Sequence, residues 1–413
     1  DFRAWEPPLS VAAELLAARA REALAELSRV WTEPSLEASP GERTAALELL
    51  AEAAARIPGA APVAQAARAA VSASVAPGAA RAQALRALAL ELAKSDARRL
   101  AAALLAEAHA SAPDDVALAL DRVGVLELCG HNTTARDVLR QLPAAARTTF
   151  PVRYFSVFHA IMCGDLEAAR VELPGLLRVA GDRQALASTL EAMLARADAA
   201  RGVTPLDGQD LRGWQLVLDG SLLLDVGGEL GGRYAIAHDT PPSLARAAAA
   251  VVAVLHAVER RPPAVLMVSD PASAVLARHV AARLDVPCAA WSPRARGLVV
   301  VDDAERLDLD TARGLAQHHS GQALWIHASC WLRPCPFAAD LVTYQYARRH
   351  AAPSVAAAPD VLPDVAQAVS LALAVRALPE AQAAGLFRTR GARWAQRYRS
   401  EEHTSELQSR YVI

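Results

Sequence analysis

The sequence predicts a multidomain protein of α and α/β class, with an N-terminal helical-hairpin repeat array followed by a mostly parallel α/β sheet domain. Three observations predict it. A five-residue match recurs at a spacing of 34, where Cys129-Gly130, Ala135-Arg136 and Leu139 return as Cys163-Gly164, Ala169-Arg170 and Leu173. From about residue 9 to 201 the apolar residues keep helical spacing. Beyond about residue 205 they gather into short runs bounded by glycine, proline and aspartate, with helical stretches between them.

The first helix is read over Val11 to Val30, where Leu16, Ala20, Leu24 and Leu27 fall at four- and three-residue steps. Turn signals then divide the chain at Ser39-Pro40-Gly41, Pro58-Gly59, Ala76-Pro77-Gly78, Ala112-Pro113-Asp114 and Gly181-Asp182. Helices between such breaks form hairpins, and hairpins at a fixed period stack into a solenoid. One step of 34 upstream of the first copy, Asp96, Ala101 and Leu105 keep the frame, with Ala108 and Pro113 after them. Each alanine lets two helices approach closely, and each leucine fills the seam.

Residues 82–183 resemble tetratricopeptide repeats, with 9–201 as the widest extent of the array. The 82–115 unit carries Leu88-Ala89, Leu92, Ala101, Leu105, Ala108 and Pro113. The 116–149 unit keeps Leu126, Gly130, Ala135 and Leu139 but has Arg147 where that family expects proline. The 150–183 unit keeps Gly164, Ala169 and Leu173, and Pro174 is expected to shorten or kink its second helix. The resemblance implies a binding surface for a protein or peptide partner. Arg122, Arg153 and Tyr154, on the first helix of their units, are the candidate contacts. Residues 1–80 read as degenerate repeats or a cap, and 81–201 as the repeats proper.

The α/β domain is read over 205–398. Trp214 to Leu218, Leu222 to Val226 and Arg233 to Ala237 are expected strands, and Ser243 to Glu259 a helix. Strands at 264–268, 287–291, 298–301 and 323–326 alternate with helices at 272–284 and 309–318, which argues for parallel pairing. Closing helices are expected at 361–378 and 380–398, and hairpin turns at Gly227-Gly228 and Gly231-Gly232. Ligands of open α/β sheets sit beyond the carboxyl ends of the strands. That rule selects Ser269-Asp270 and Asp302-Asp303, and an acid pair there suits Mg²⁺ or sugar hydroxyls. Acids at a strand end also serve simply to cap the next helix.

Over about residues 232–345 the order of elements resembles phosphoribosyltransferases. The resemblance implies that Val265 to Ala274 holds the pyrophosphate loop and that Asp302 and Asp303 meet ribose. Thr311 joins Ser269, Asp270, Asp302 and Asp303 as the candidate ligand-binding residues. The departure lies just after Asp303, in Ala-Glu-Arg-Leu-Asp-Leu-Asp-Thr-Ala312, which lacks the Thr-Gly pair of a phosphate cradle. Glu305, Asp308 and Asp310 would repel a dianion. The expectation is therefore a non-catalytic α/β domain on an adaptor. The alternative is a nucleotide or sugar-phosphate transferase using Asp302 and Asp303 with Mg²⁺. No other cofactor is expected.

Composition narrows the classes. Net charge is −2, so no basic footprint argues for nucleic acid, and no apolar run reaches membrane-spanning length. Of 43 basic residues only Lys94 is lysine, which excludes a Gly-Lys-Ser/Thr phosphate loop and a kinase-type strand lysine. The arginine bias reads as a GC-rich, bacterial genome. The five cysteines lack a framework spacing, as expected in a reducing cytoplasm. His318-His319, His327, Cys330 and Cys335 have irregular intervals, so no metal is expected there. His327 and Cys330 are too close along one strand end for a Cys–His dyad. Residues 399–413, Arg399-Ser-Glu-Glu-His-Thr-Ser-Glu-Leu-Gln-Ser409 and its tail, resemble a translated DNA-sequencing adapter and are excluded from fold reasoning. The biological protein, a fragment here, is expected to continue past Tyr398.

Overall fold

The computed structural model describes residues 11–32, 38–74, 78–95, 97–207, 210–225, 231–331, 335, 337–352, 354–357, 363–383, 385–388 and 391–392. The adapter-like segment, Gly227-Gly228 and Pro334 lie outside them. The chain forms two compact units, residues 1–163 and 164–413.

The first unit is helical. Its helices are α1 (Val11–Thr32), α2 (Pro40–Ala54), α3 (Ala61–Ser72), α4 (Gly78–Lys94), α5 (Arg98–Ser111), α6 (Val116–Leu128), α7 (Asn132–Gln141), the single turn α8 (Ala144–Arg147) and α9 (Phe150–Met162). The turn signals act as capping chemistry. Ser39 and Glu42 make a reciprocal capping box that starts α2, and Asp115 Oδ1 accepts from the Leu118 amide at 3.0 Å to start α6.

Neighbouring helices pack in succession, and α1 also lies on α5. Their seams are alanine and leucine: Ala67, Leu88, Ala89, Ala101, Leu104 and Leu105 are all fully buried. Small side chains bring the helices close, and the leucines fill the space between. Glu107 on α5 ties three helices together. It accepts from Trp31 Nε1 at 2.8 Å, from Arg43 Nη1 at 3.0 Å and from Arg81.

The repeated sequence pair has a repeated backbone. Cys129 ends α6 in right-handed conformation and Gly130 follows at φ +74°; Cys163 ends α9 in the same way and Gly164 follows at φ +71°. A left-handed residue after a helix satisfies its last carbonyls, and glycine adopts it without strain. Ala135 and Ala169, five residues after each glycine, are both fully buried.

The second unit opens with α10 (Leu166–Arg178), α11 (Gln184–Arg201) and α12 (Leu211–Asp219). Pro174 does not end α10, which continues through it to Arg178. Pro174 itself is exposed, so the carbonyl it leaves unbonded can be hydrated at the helix surface. The expected strand Trp214–Leu218 is instead α12. Asp210 caps its start through the Arg212 amide, and Gly220 closes its end at φ +68°. Arg196 on α11 is 1 % exposed and donates to the carbonyls of Leu216 at 2.9 Å and Val217 at 2.8 Å. Burial pushes its guanidinium pKa down to about 10.

Then follow β1 (Leu222–Leu223), β2 (Arg233–His238), α13 (Pro241–Ala257), β3 (Val265–Met267), α14 (Pro271–Leu284), β4 (Cys288–Ala290), β5 (Gly297–Asp303), α15 (Leu309–Leu315), β6 (Gln317–His318), β7 (Gln322–Cys330), β8 (Leu341–His350), α16 (Ala366–Arg376) and β9 (Gly391–Ala392). Seven strands form one sheet, every pair parallel, in the order β1-β8-β7-β5-β3-β4, with β2 also on β8. The segment from Glu380 is not the expected closing helix: its described residues make turns, a 3₁₀ turn at Gly385–Phe387 and β9. Pro379 and Gly385 bracket residues too few for a stable helix. β6 and β9 pair antiparallel, so the helix expected over 309–318 stops at Leu315.

Alternation along the strands builds two cores. Leu298, Val300, Trp325 and Leu341 face a layer that includes Val254 of α13 and Leu276 of α14. Val299, Val301, Ile326 and Val342 join the opposite cluster with Leu315 and Phe337. Both faces are covered, as an all-parallel sheet requires.

Candidate functional site

The carboxyl ends of the central strands converge on a buried polar knot. β5 delivers Asp302 and Asp303, β7 delivers His327, and β8 delivers Tyr344, Tyr346 and Arg349. Asp239 stands between the end of β2 and the start of α13. The side chains of Arg349, Asp239, Asp302 and Asp303 are 3 %, 4 %, 4 % and 7 % exposed.

Arg349 is the hub. Its Nη1 donates to Asp302 Oδ2 at 2.9 Å and Asp303 Oδ2 at 3.1 Å, its Nη2 to Asp302 Oδ1 at 2.6 Å, and its Nε to Asp239 Oδ2 at 2.7 Å. Tyr346 donates to Asp303 Oδ1 at 2.8 Å, and Tyr344 to Asp239 Oδ2 at 2.9 Å. His327 Nε2 lies 3.1 Å from Asp239 Oδ1. Buried charges persist only when paired and hydrogen-bonded, and here each carboxylate has at least two donors.

The protonation states follow. Burial opposes charge on Asp239, but the His327 hydrogen bond and the nearby positive groups outweigh it and hold its carboxyl far below the usual aspartate range. Burial likewise opposes the Arg349 cation, and its hydrogen bonds to Asp302 and the surrounding negative groups reverse the sign and raise it. Burial pushes the Tyr344 and Tyr346 phenols up, so both stay protonated and donate.

The other expected site residues divide. Asp270 caps α14, accepting from the Ser273 amide at 2.8 Å and its hydroxyl at 2.7 Å. Ser273 Oγ in turn accepts from the Asp302 amide at 2.9 Å, so Asp270 and Asp302 are linked through one serine. Ser269 is exposed beside Asp270. Thr311 is held by Asp308 in the cap of α15, its amide at 2.8 Å and its hydroxyl at 2.7 Å. In the helical unit, Arg122 Nη1 meets the His109 ring at 3.1 Å. Arg153 is half-buried. Tyr154 is a correction: at 7 % exposure it stacks on Phe150 and packs inside the unit, so it offers a partner no face.

A divalent cation at Asp302 and Asp303 would have to displace the Arg349 guanidinium, which already satisfies them. Among the described residues no group of three or more His, Cys, Asp or Glu side chains is arranged to hold a metal ion. Cys330 and Cys335 are buried and not joined in a disulfide.

Arg349, Asp239, Tyr344 and Tyr346 were not read from the sequence. The signal lay in Leu341-Val-Thr-Tyr-Gln-Tyr346, a β-branched and aromatic run, followed by Arg348-Arg349.

Beside the knot is a cavity of about 210 Å³ under the start of α13, lined by residues that include Ile236, Asp239, Ser243, Arg246, His327 and Tyr344. The helical unit has a shallower concavity of about 450 Å³, lined by residues that include Leu24, Arg98, Arg99, Leu100 and Leu128. No helix among the described residues is long and apolar enough to cross a membrane. Comparison with known proteins returned no matching family model, no matching curated protein and no matching solved structure.

Proposed function

We propose that the chain is a protein–protein interaction adaptor. Its helical repeats, tetratricopeptide-like over about residues 82–183, bind a segment of a partner protein, and the α/β unit performs no chemistry at Asp302 and Asp303. The observation that carries this reading is the helix-ending geometry shared by Cys129-Gly130 and Cys163-Gly164 at a spacing of 34. Recurrent turns stack helices in register and produce an extended surface suited to peptide segments. Arg99 lines the concavity of the helical unit, and no described residue of that lining is a carboxylate, which favours an acidic partner segment. The Arg349 clamp on the acid pair supports the non-catalytic half of the reading.

The test is affinity capture from source lysate with the full chain, quantified against an Arg99→Glu/Arg122→Glu double variant. A partner whose recovery falls at least about tenfold in the variant, and is unchanged by Asp302→Asn, supports the adaptor. Equal recovery by both proteins defeats it.

A second reading, a phosphoribosyltransferase-type enzyme, is favoured by one relationship. β3 and β5 are parallel neighbours, so Ser269-Asp270 and Asp302-Asp303 lie at the same, carboxyl end of the sheet. Mg²⁺-dependent thermal stabilisation by phosphoribosyl pyrophosphate, abolished in Asp302→Asn/Asp303→Asn, would favour this reading over the adaptor.

A further inference from the structure

Arg246, in the second turn of α13, lines the cavity beneath the start of that helix. It is half-buried and makes no ion pair or hydrogen bond with any described residue. Asp239 lines the same cavity but has no oxygen to spare for it. Its Oδ1 is bonded to His327 at 3.1 Å, and its Oδ2 accepts from Tyr344 at 2.9 Å and from Arg349 at 2.7 Å. The Arg246 guanidinium therefore borders an enclosure that supplies it no counter-charge, and a partly buried cation gains from acquiring one.

The other polar groups of the wall are committed as well. Tyr234 donates to Asp225 Oδ1 at 2.7 Å, Thr343 accepts from Trp325 Nε1 at 3.0 Å, and Ser243 belongs to the Thr240 cap. What remains is apolar and aromatic: Ile236, Ala237 and the rings of Tyr234 and Tyr344, which meet edge to face at 5.6 Å. Ile236 is 54 % exposed, so an apolar ligand in the cavity would also cover surface that now meets water.

We propose that this cavity binds a small aromatic carboxylate, its ring packed among Tyr234, Ile236 and Tyr344 and its carboxylate paired with Arg246. Aromatic rings favour edge-on or offset contact with one another, and a guanidinium fork matches a carboxylate through two parallel hydrogen bonds. An apolar cavity of ~150 Å³ is enough for a benzene molecule. At about 210 Å³ this one has room for such a ring and one carboxylate, and it lies below the ~300–1,000 Å³ of drug-sized pockets. The inference does not rest on the adaptor reading, because none of its residues belongs to the helical unit.

The experiment is isothermal titration calorimetry on the full chain with benzoate, benzamide and acetate. Benzamide keeps the ring without the charge, and acetate keeps the charge without the ring. Benzoate binds at least about tenfold more tightly than either. Arg246→Gln, a change at a side chain with no described partner, weakens benzoate at least about tenfold while leaving the thermal midpoint of the free protein unchanged. Ile236→Ser, at an exposed position, weakens it at least about threefold. No binding of benzoate at about 10 mM, benzamide or acetate binding as tightly as benzoate, or unchanged affinity in Arg246→Gln overturns the proposal. Arg99→Glu/Arg122→Glu leaves the titration unaltered; loss of benzoate binding in that variant would place the site on the helical surface and overturn it too.

Discussion

Arg349 holds Asp302 through two near-parallel hydrogen bonds, Nη1 to Oδ2 at 2.9 Å and Nη2 to Oδ1 at 2.6 Å. This is the fork geometry in which guanidinium and carboxylate match each other's spacing. The same side chain also reaches Asp303 and Asp239. One cation thereby neutralises much of the charge that the ends of β2 and β5 bring together.

Removing that cation strands three buried carboxylates. Arg349→Leu is expected to cost about 3–5 kcal/mol, the scale for breaking a buried pair from one side. Arg349→Lys recovers only part of it, since an ammonium cannot reproduce the two-bond match. Urea unfolding of the three proteins measures both steps, and a lysine variant as stable as wild type would show that the fork is irrelevant.

Asp239 gives the knot its acid sensitivity. Its folded pKa lies below the ordinary aspartate value of about 3.9. Its contribution is therefore complete above that value and is lost as pH falls through the folded value. Asp239→Asn should be less stable than wild type at pH 7, and the two should converge as pH is lowered below about 4. Midpoints of urea unfolding at pH 7 and pH 3 check this; a gap that widens in acid contradicts it.

In the helical unit, Glu107 joins α1, α2 and α4 to α5 through Trp31, Arg43 and Arg81. Glu107→Ala is expected to cost about 2 kcal/mol, since it abandons charge-assisted bonds at a largely buried carboxylate. The exposed Arg140–Asp137 pair is the control, and Arg140→Ala should cost less than about 0.5 kcal/mol. Tryptophan fluorescence during unfolding reports on Trp31.

Two glycines separate backbone strain from collision. Ala at Gly130 meets nothing within 4 Å, so only the φ of +74° is penalised, by about 1–2 kcal/mol. Ala at Gly297 collides with the Ala264 carbonyl oxygen where β5 passes β3. Gly130→Ala should yield a folded, slightly weakened protein, and Gly297→Ala should leave the sheet unassembled by circular dichroism.

The helices and most strands were legible because their side chains report burial simply. Alanine and leucine at helical spacing, or valine runs such as Leu298 to Val301, have one reading. β8 escaped notice because its buried residues include polar ones. Thr343 accepts from Trp325 Nε1 at 3.0 Å, and Gln345 donates to Gln215 at 2.9 Å, so neither looks like core in a sequence. Trp214 to Leu218 misled for the opposite reason: a short apolar run fits a strand or a buried helix, and only its bounding Asp210 and Gly220 distinguish them. The acid pair was visible at Asp302 and Asp303. Its cation was not, because Arg349 is 47 residues further along the chain and meets the pair only through the sheet.

The position of β8 sets an order of events during synthesis. β1 and β2 both pair with β8, and their partner is the last strand of that sheet to be made. A ribosome releasing this chain exposes β1 and β2 as unpaired edges while α13 through β7 emerge, and only the arrival of Leu341 to His350 covers them. Arg349 lies at the end of that strand, so the acids at 239, 302 and 303 gain their counter-charge in the same final step.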